Sequence, residues 1–278
     1  MSHSISSNLR NSISDCAMET PAWTLQRGEG PLIAAAIHDG HDVRDELSQW
    51  LALPEADRLQ EEDPYTGAWT AMAPTRIVVH RSRFEVDLNR PREKAVYLHP
   101  EDAWGLHVWR KTLPGEDLER SLGVYDAFYR EIGALLRDLI GRYGRVVVFD
   151  LHSYNHLRAG ANGPPAPSAA NPTINLGTST MDLGRWGGVV ERFEQALRSF
   201  VFCGEPLDVR RDVKFRGGHF VRWIHQAFPE TACAMAIEIK KVFMDEWTGQ
   251  VDAQSHALFG QALIGAAHEV LTQFPVGG

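Results

Sequence analysis

A chain of 278 residues is long enough to bury roughly three-quarters of the surface it exposes when unfolded, so it folds without disulfide or metal staples. Its 44% hydrophobic and 23% charged residues are those of a globular protein, and a formal net charge of −8 excludes the basic footprint of a nucleic-acid or anionic-membrane binder. Three scattered cysteines (Cys16, Cys203, Cys233) with no Cys-x-x-Cys pair exclude a disulfide framework and a thiolate zinc site, and fit a reducing compartment.

In chain order, residues 1–20 read as a polar, flexible tail with no apolar core for a secretory signal, and no apolar run reaches membrane-spanning length. A cytoplasmic, soluble protein is expected, with residues 21–278 forming one α/β domain. PLIAAAIHDG (Pro31–Gly40) is a continuous apolar run ending at His-Asp-Gly, a buried strand followed by a loop. DVRDELSQWLAL follows as a short helix. Pro and Gly make Glu61–Trp69 a loop. Thr75–Pro91, rich in β-branched residues and alternating apolar with charged, predicts a strand or a hairpin turning near His80–Arg83.

From Asp117 to Tyr143 apolar side chains recur every three or four residues, the clearest amphipathic helix, and Gly144 is placed to end it. VVVFD then predicts a strand, and Arg158–Thr173 a long Gly/Pro/Ala loop. DLGRWGGVVERFEQALRSF predicts a helix, PLDVRRDV a strand, GGHFVRWIHQAF a short helix, Thr231–Ile239 a strand and VDAQSHALFGQALIGAAHEVLTQF a closing helix. This alternation predicts an α/β sandwich with a largely parallel sheet.

Three apolar strands finish on His38, His152 and Glu238. In open α/β sheets, sites gather at the carboxyl ends of strands. A single histidine there is more often a hydrogen-bonded structural residue, but three strand ends repeating the pattern weaken coincidence. Two imidazoles and a carboxylate form a typical catalytic zinc shell, and Glu238 supplies a base for the zinc-bound water. The third ligand is open at this point: His41 lies three residues after His38, and Glu61, Glu62 and Asp63 are the carboxylate alternatives, most of them a solvated acidic loop. In DLNRP, Arg90 can clamp a carboxylate with Asn89 as a further donor, and Arg83 can stabilise an oxyanion; the plain alternative is surface arginines. In FRGGHFVRWIH, His219 and Arg222 either line a pocket or decorate an exposed helix.

IHDG, EEDPYT, SRFEVDLNRP, FDLHSYNH, NLGT, FRGGHFVR and AIEIKKVFMDE, spread from Ile33 to Glu246 in this order, resemble the N-formylglutamate amidohydrolase family, relatives of zinc carboxypeptidases and aspartoacylases. The resemblance implies a three-layer α/β sandwich with a mixed, largely parallel sheet of the zinc-carboxypeptidase type. It places a Zn2+ ion, or another divalent metal, on His38 and His152, and the general base at Glu238. Asn89 and Arg90 match the pair that grips the substrate carboxylate, and Arg83 the arginine at the scissile carbonyl. The carboxypeptidases use His-x-x-Glu where this chain has His38 and His41, while the family itself often has neither there and an acidic pair further on; the resemblance therefore favours Asp63 as third ligand, with Glu62 next, over His41. Arg222 is the candidate for a second substrate carboxylate, with His219 beside it. The expected activity is hydrolysis of a small N-acyl amino acid, N-formyl-L-glutamate foremost, with no nucleic-acid or membrane partner; a homo-oligomer is compatible with this. A deacylase or carboxypeptidase-like hydrolase on a longer substrate, and a metal-binding regulatory protein without turnover, are the competing readings.

Overall fold

The computed structural model describes residues 20–272. Apart from Thr20, the expected tail lies outside these residues. The frame is a seven-stranded sheet. Its centre is parallel: β1 (Trp23–Gln26) pairs antiparallel with β3 (Thr75–Val79), which runs parallel to β2 (Leu32–Ala36). Beside β2 lies β4 (Val146–Tyr154), then β9 (Ala232–Lys240), both parallel to it. β5 (Ile174–Gly177) then runs antiparallel to β9, and β8 (Val209–Arg211) runs parallel to β5. β6 (Val201–Phe202) and β7 (Glu205–Pro206) form a separate ribbon.

The period of two along the central strands builds two cores. Val147, Phe149 and Leu151 of β4, with Cys233, Met235, Ile237 and Ile239 of β9, face α5 (Leu183–Ser199) and α7 (Ala253–Leu271). Val146 and Val148, with Ala232, Ala234 and Ala236, face α4 (Gly115–Tyr143) and α6 (His219–Ala227). Both sheet faces are covered, which is why these strands read as unbroken apolar runs. The architecture is therefore the mixed, largely parallel three-layer sandwich expected. Asp182 and Asp252 cap α5 and α7 by accepting N–H bonds from the first turn. Gly144, at φ 74°, ends α4 in a conformation that glycine adopts without strain.

Two expectations are corrected, and two strands of the sheet were not anticipated. The segment Glu61–Trp69 is not all loop: after α1 (Asp45–Ser48) and α2 (Glu55–Glu61), Thr66–Trp69 forms a short helix, α3, because Trp69 packs inward against Phe243 and Phe259. No hairpin follows β3. Beyond Val79 the chain turns through Ser82–Asp87, where Glu85 and Val86 N–H donate to the Ser82 carbonyl. Those alternating residues are buried in a turn whose acids pair with arginines rather than with water. β1 and β5, four residues each, had been missed because strands so short carry little periodic signal. Among the described residues no helix is long and apolar enough to cross a membrane.

Candidate active site

His152 lies in β4 directly across from Glu238 in β9, and Glu238 directly across from Asn175 in β5. These three side chains therefore form one row over the sheet at its carboxyl edge. His38 follows the end of β2, the neighbour of β4. Asp63 arrives from outside the sheet: its N–H donates to the His38 carbonyl at 2.9 Å, which pins the segment after α2 to the loop after β2.

Asp63 Oδ2 lies 2.9 Å from His152 Nδ1 and 3.4 Å from His38 Nδ1. One ligand atom from each of His38, Asp63 and His152 lies within 4.8 Å of the others, and all three residues are buried. The far nitrogen of each ring meets a second buried acid: His38 Nε2 is 2.7 Å from Asp87 Oδ1, and His152 Nε2 is 3.0 Å from Asp150 Oδ2. A carboxylate behind each imidazole is the arrangement that orients metal-binding histidines.

The electrostatics run the same way. Burial opposes charge on His152, yet Asp150 and Asp63 outweigh it and hold its pKa well above the usual imidazole value. Burial likewise opposes charge on Asp63, but the hydrogen bonds of His152 and His38 hold its carboxyl below the usual range. Asp87 is held low by Arg83 and His38 against its own burial. Three acids around two imidazoles make a centre that draws in positive charge. The donor set of two nitrogens and one oxygen fits a divalent cation of the zinc class. Among the described residues Glu238 makes no ion pair: burial pushes its carboxyl up to about 8, and a cation held by the three candidate ligands would favour its ionised form.

The cluster opens into a cavity of about 310 Å³, whose wall includes Glu238, Arg83, Asn89 and Arg90. Arg83 donates to Asp87 at 2.9 Å, to Tyr97 Oη at 3.3 Å and through Nη1 to the Glu61 carbonyl at 3.2 Å. Five guanidinium donors exceed these bonds, so Nη1 keeps one hydrogen for a ligand. Asn89 is set by its own N–H donating to Asp87 Oδ1 and by its Oδ1 accepting from the Phe220 N–H. Arg90 stays partly exposed, 5.9 Å from the Trp104 ring, over which Arg83 also lies at 4.9 Å.

The acidic run resolves into distinct duties. Glu62 turns away from the centre and is held by His41 Nδ1, Ser82 Oγ and Arg58, so neither Glu62 nor His41 joins the cluster. Glu61 pairs with Arg158 in a bidentate bridge at the cavity rim. The structure does not bring Arg222 or His219 to the cavity wall. On α6 the Phe220, Val221 and Ile224 stripe is buried against the sheet, so Arg222 emerges into solvent and His219 meets Tyr125 Oη instead.

Residues of the wall that sequence reasoning missed include Trp104, Asn155, Arg216 and Lys241. Lys241 is fully buried and donates to the carbonyls of Gln60 and Glu62 at 2.7 and 2.8 Å, strapping the Asp63 segment to the end of β9. Its signal was present in the sequence, since a lysine adjoining an apolar strand has to find partners.

The family model described as N-formylglutamate amidohydrolase matches residues 30–244. The chain belongs to the N-formylglutamate amidohydrolase family. That makes it a hydrolase of the amide class. N-formylglutamate deformylase of Pseudomonas aeruginosa is 26% identical over 245 residues, covering 80% of this chain and 85% of that protein. The crystal structure of N-formylglutamate amidohydrolase from Ralstonia eutropha superposes with a TM-score of 0.72 at 18% identity, covering 91% of this chain and 98% of the other. A gene product of Agrobacterium tumefaciens superposes at 0.61 with 16% identity, covering 91% and 95%. Both likenesses show that this member of the N-formylglutamate amidohydrolase family shares their fold over nearly its whole described length.

Proposed function

We propose that the chain hydrolyses the amide bond of N-formyl-L-glutamate, releasing formate and L-glutamate, with a divalent metal on His38, Asp63 and His152. The observation that carries this is the convergence of those three side chains beside a glutamate that has no ion-pair partner among the described residues, in a cavity sized for an amino-acid derivative. Family membership supplies the substrate class, and the name of the Pseudomonas relative agrees with it.

His38, Asp63 and His152 would hold a zinc-class cation, which would lower the pKa of the attacking water toward neutrality and polarise the substrate carbonyl. Glu238 accepts the proton of the attacking water as the new C–O bond forms, and returns it to the nitrogen as the C–N bond breaks. Arg83, braced by Asp87 and Tyr97, turns its remaining Nη1 hydrogen to the carbonyl oxygen as that atom gains charge. Asn89 and Arg90 hold the α-carboxylate, which fixes the formyl carbon relative to Glu238. A formate-release assay across N-formyl and N-acetyl amino acids, with and without a chelator, tests the reading. Formate from N-formyl-L-glutamate, lost on chelation and regained with metal, is the expected outcome; failure to release formate from any member overturns it.

A further inference from the structure

N-formyl-L-glutamate carries two carboxylates, and only one is taken by Asn89 and Arg90 in the reading above. Five cationic side chains line the cavity against three carboxylates: Arg83, Arg90, Arg158, Arg216 and Lys241 against Glu61, Asp63 and Glu238. Four of the five are committed. Arg83 is held by Asp87 and Tyr97, Lys241 by two carbonyls, and Arg158 by Glu61; Arg90 is the α-carboxylate clamp. Among the described residues the Arg216 guanidinium has no hydrogen-bond or ion-pair partner, although it faces the same cavity.

Arg216 is not carried on a loose loop. The fully buried Asn175 accepts N–H bonds from Val213 and Lys214 at 3.0 and 2.9 Å and donates to the Phe215 carbonyl at 2.7 Å. The Arg216 carbonyl in turn accepts from the Ser179 N–H. Gly217, at φ 104°, makes the turn, and a Cβ on Gly218 would stand 2.2 Å from the Asn89 side chain. The two glycines therefore let the chain immediately after Arg216 abut, at Gly218, the residue assigned to the α-carboxylate. Asn175 stands in the same cross-strand row as Glu238, so the loop is registered to the base as well.

We infer that Arg216 is a specificity residue that receives the second, side-chain carboxylate of a dicarboxylic N-acyl amino acid. The inference rests on the proposed hydrolysis for its substrate. It replaces Arg222, which the fold turns to solvent. A charge-assisted guanidinium–carboxylate contact predicts a preference of about 10- to 100-fold for a γ-carboxylate over its neutral amide.

The experiment compares N-formyl-L-glutamate with N-formyl-L-glutamine in the wild type and in Arg216→Met, Arg216→Lys and Arg158→Met, alongside calorimetric binding of L-glutamate and L-glutamine to the metal-loaded protein. Expected is a fall of about 10- to 100-fold in kcat/KM for the glutamate substrate in Arg216→Met, carried mainly by KM. The glutamine substrate should change less than about threefold, Arg216→Lys should recover part of the loss, and Arg158→Met should spare the preference. Equal losses on both substrates, or a preference that survives Arg216→Met, overturn the assignment. If no formate is released from either substrate, the proposed hydrolysis fails, and calorimetry still decides about Arg216. A wild type without preference for L-glutamate, or one whose preference persists in Arg216→Met, rejects the inference.

Discussion

Two buried histidine environments in this molecule differ in one respect. His38 and His152, at the carboxyl ends of the central strands, are surrounded by Asp63, Asp87 and Asp150. His225, on α6, meets only neutral groups: its Nε2 accepts the Ala234 N–H at 3.0 Å, and its Nδ1 donates to Thr180 Oγ1 at 2.9 Å. Burial works against the charged imidazole in both places. At His152 the acids reverse it, and at His225 nothing does, so its pKa falls to about 4. Burial of a histidine is thus no sign of a site by itself; the buried acids behind it are what turn an imidazole into a cation trap.

The sharpest way to break this contrast is His152→Ala. It should abolish both bound metal, measured by elemental analysis of the purified protein, and detectable hydrolysis; a full metal complement in this variant would remove His152 from the ligand set. Glu238→Gln separates chemistry from loading: kcat should fall by about 10²- to 10⁴-fold with metal content unchanged. Loss of the metal too would make Glu238 a ligand rather than a base. Asp150→Asn tests the backing acid and should weaken metal affinity by about 10- to 100-fold, read by competition with a chromogenic chelator. Unaltered affinity would show that the second acid is ornamental. Arg90→Lys should raise KM with little change in kcat, since a point charge replaces a fork.

The smallest effect belongs to His225 and concerns stability. Its folded pKa is depressed, so the unfolded chain takes up a proton first. The stabilising contribution is complete above about pH 6.5, shrinks as the pH falls toward 4, and is gone below. Urea unfolding of the wild type minus that of His225→Gln should therefore narrow between pH 7 and pH 4.5, by at most about 3 kcal/mol. A difference independent of pH would mean that His225 is not held neutral in the fold.

Much of this was legible beforehand. The central strands, α4 and the polar strand ends were readable because both sheet faces are apolar and because Asp-Leu-His and Ile-Glu-Ile interrupt runs that otherwise have no reason to stop. Asp63 was preferred among the neighbouring acids only through the family resemblance, and three dimensions supply the physical reason: Glu62, its neighbour, faces the other way onto His41 and Ser82. Arg222 failed as a candidate because its helix phase depends on which stripe of α6 meets the sheet. Arg216 was hidden by its position before paired glycines, where nothing periodic tells which way a side chain goes.

The lysine strap has a consequence for how the protein comes into being. All three proposed ligands precede residue 153, yet Lys241 and the strand that carries Glu238 leave the ribosome only after them. That strand is also an interior one, slotted between β4 and β5. A nascent chain ending short of it would hold the ligands without the brace that keeps Asp63 in place, so assembly of the centre waits on the sheet's late-arriving middle.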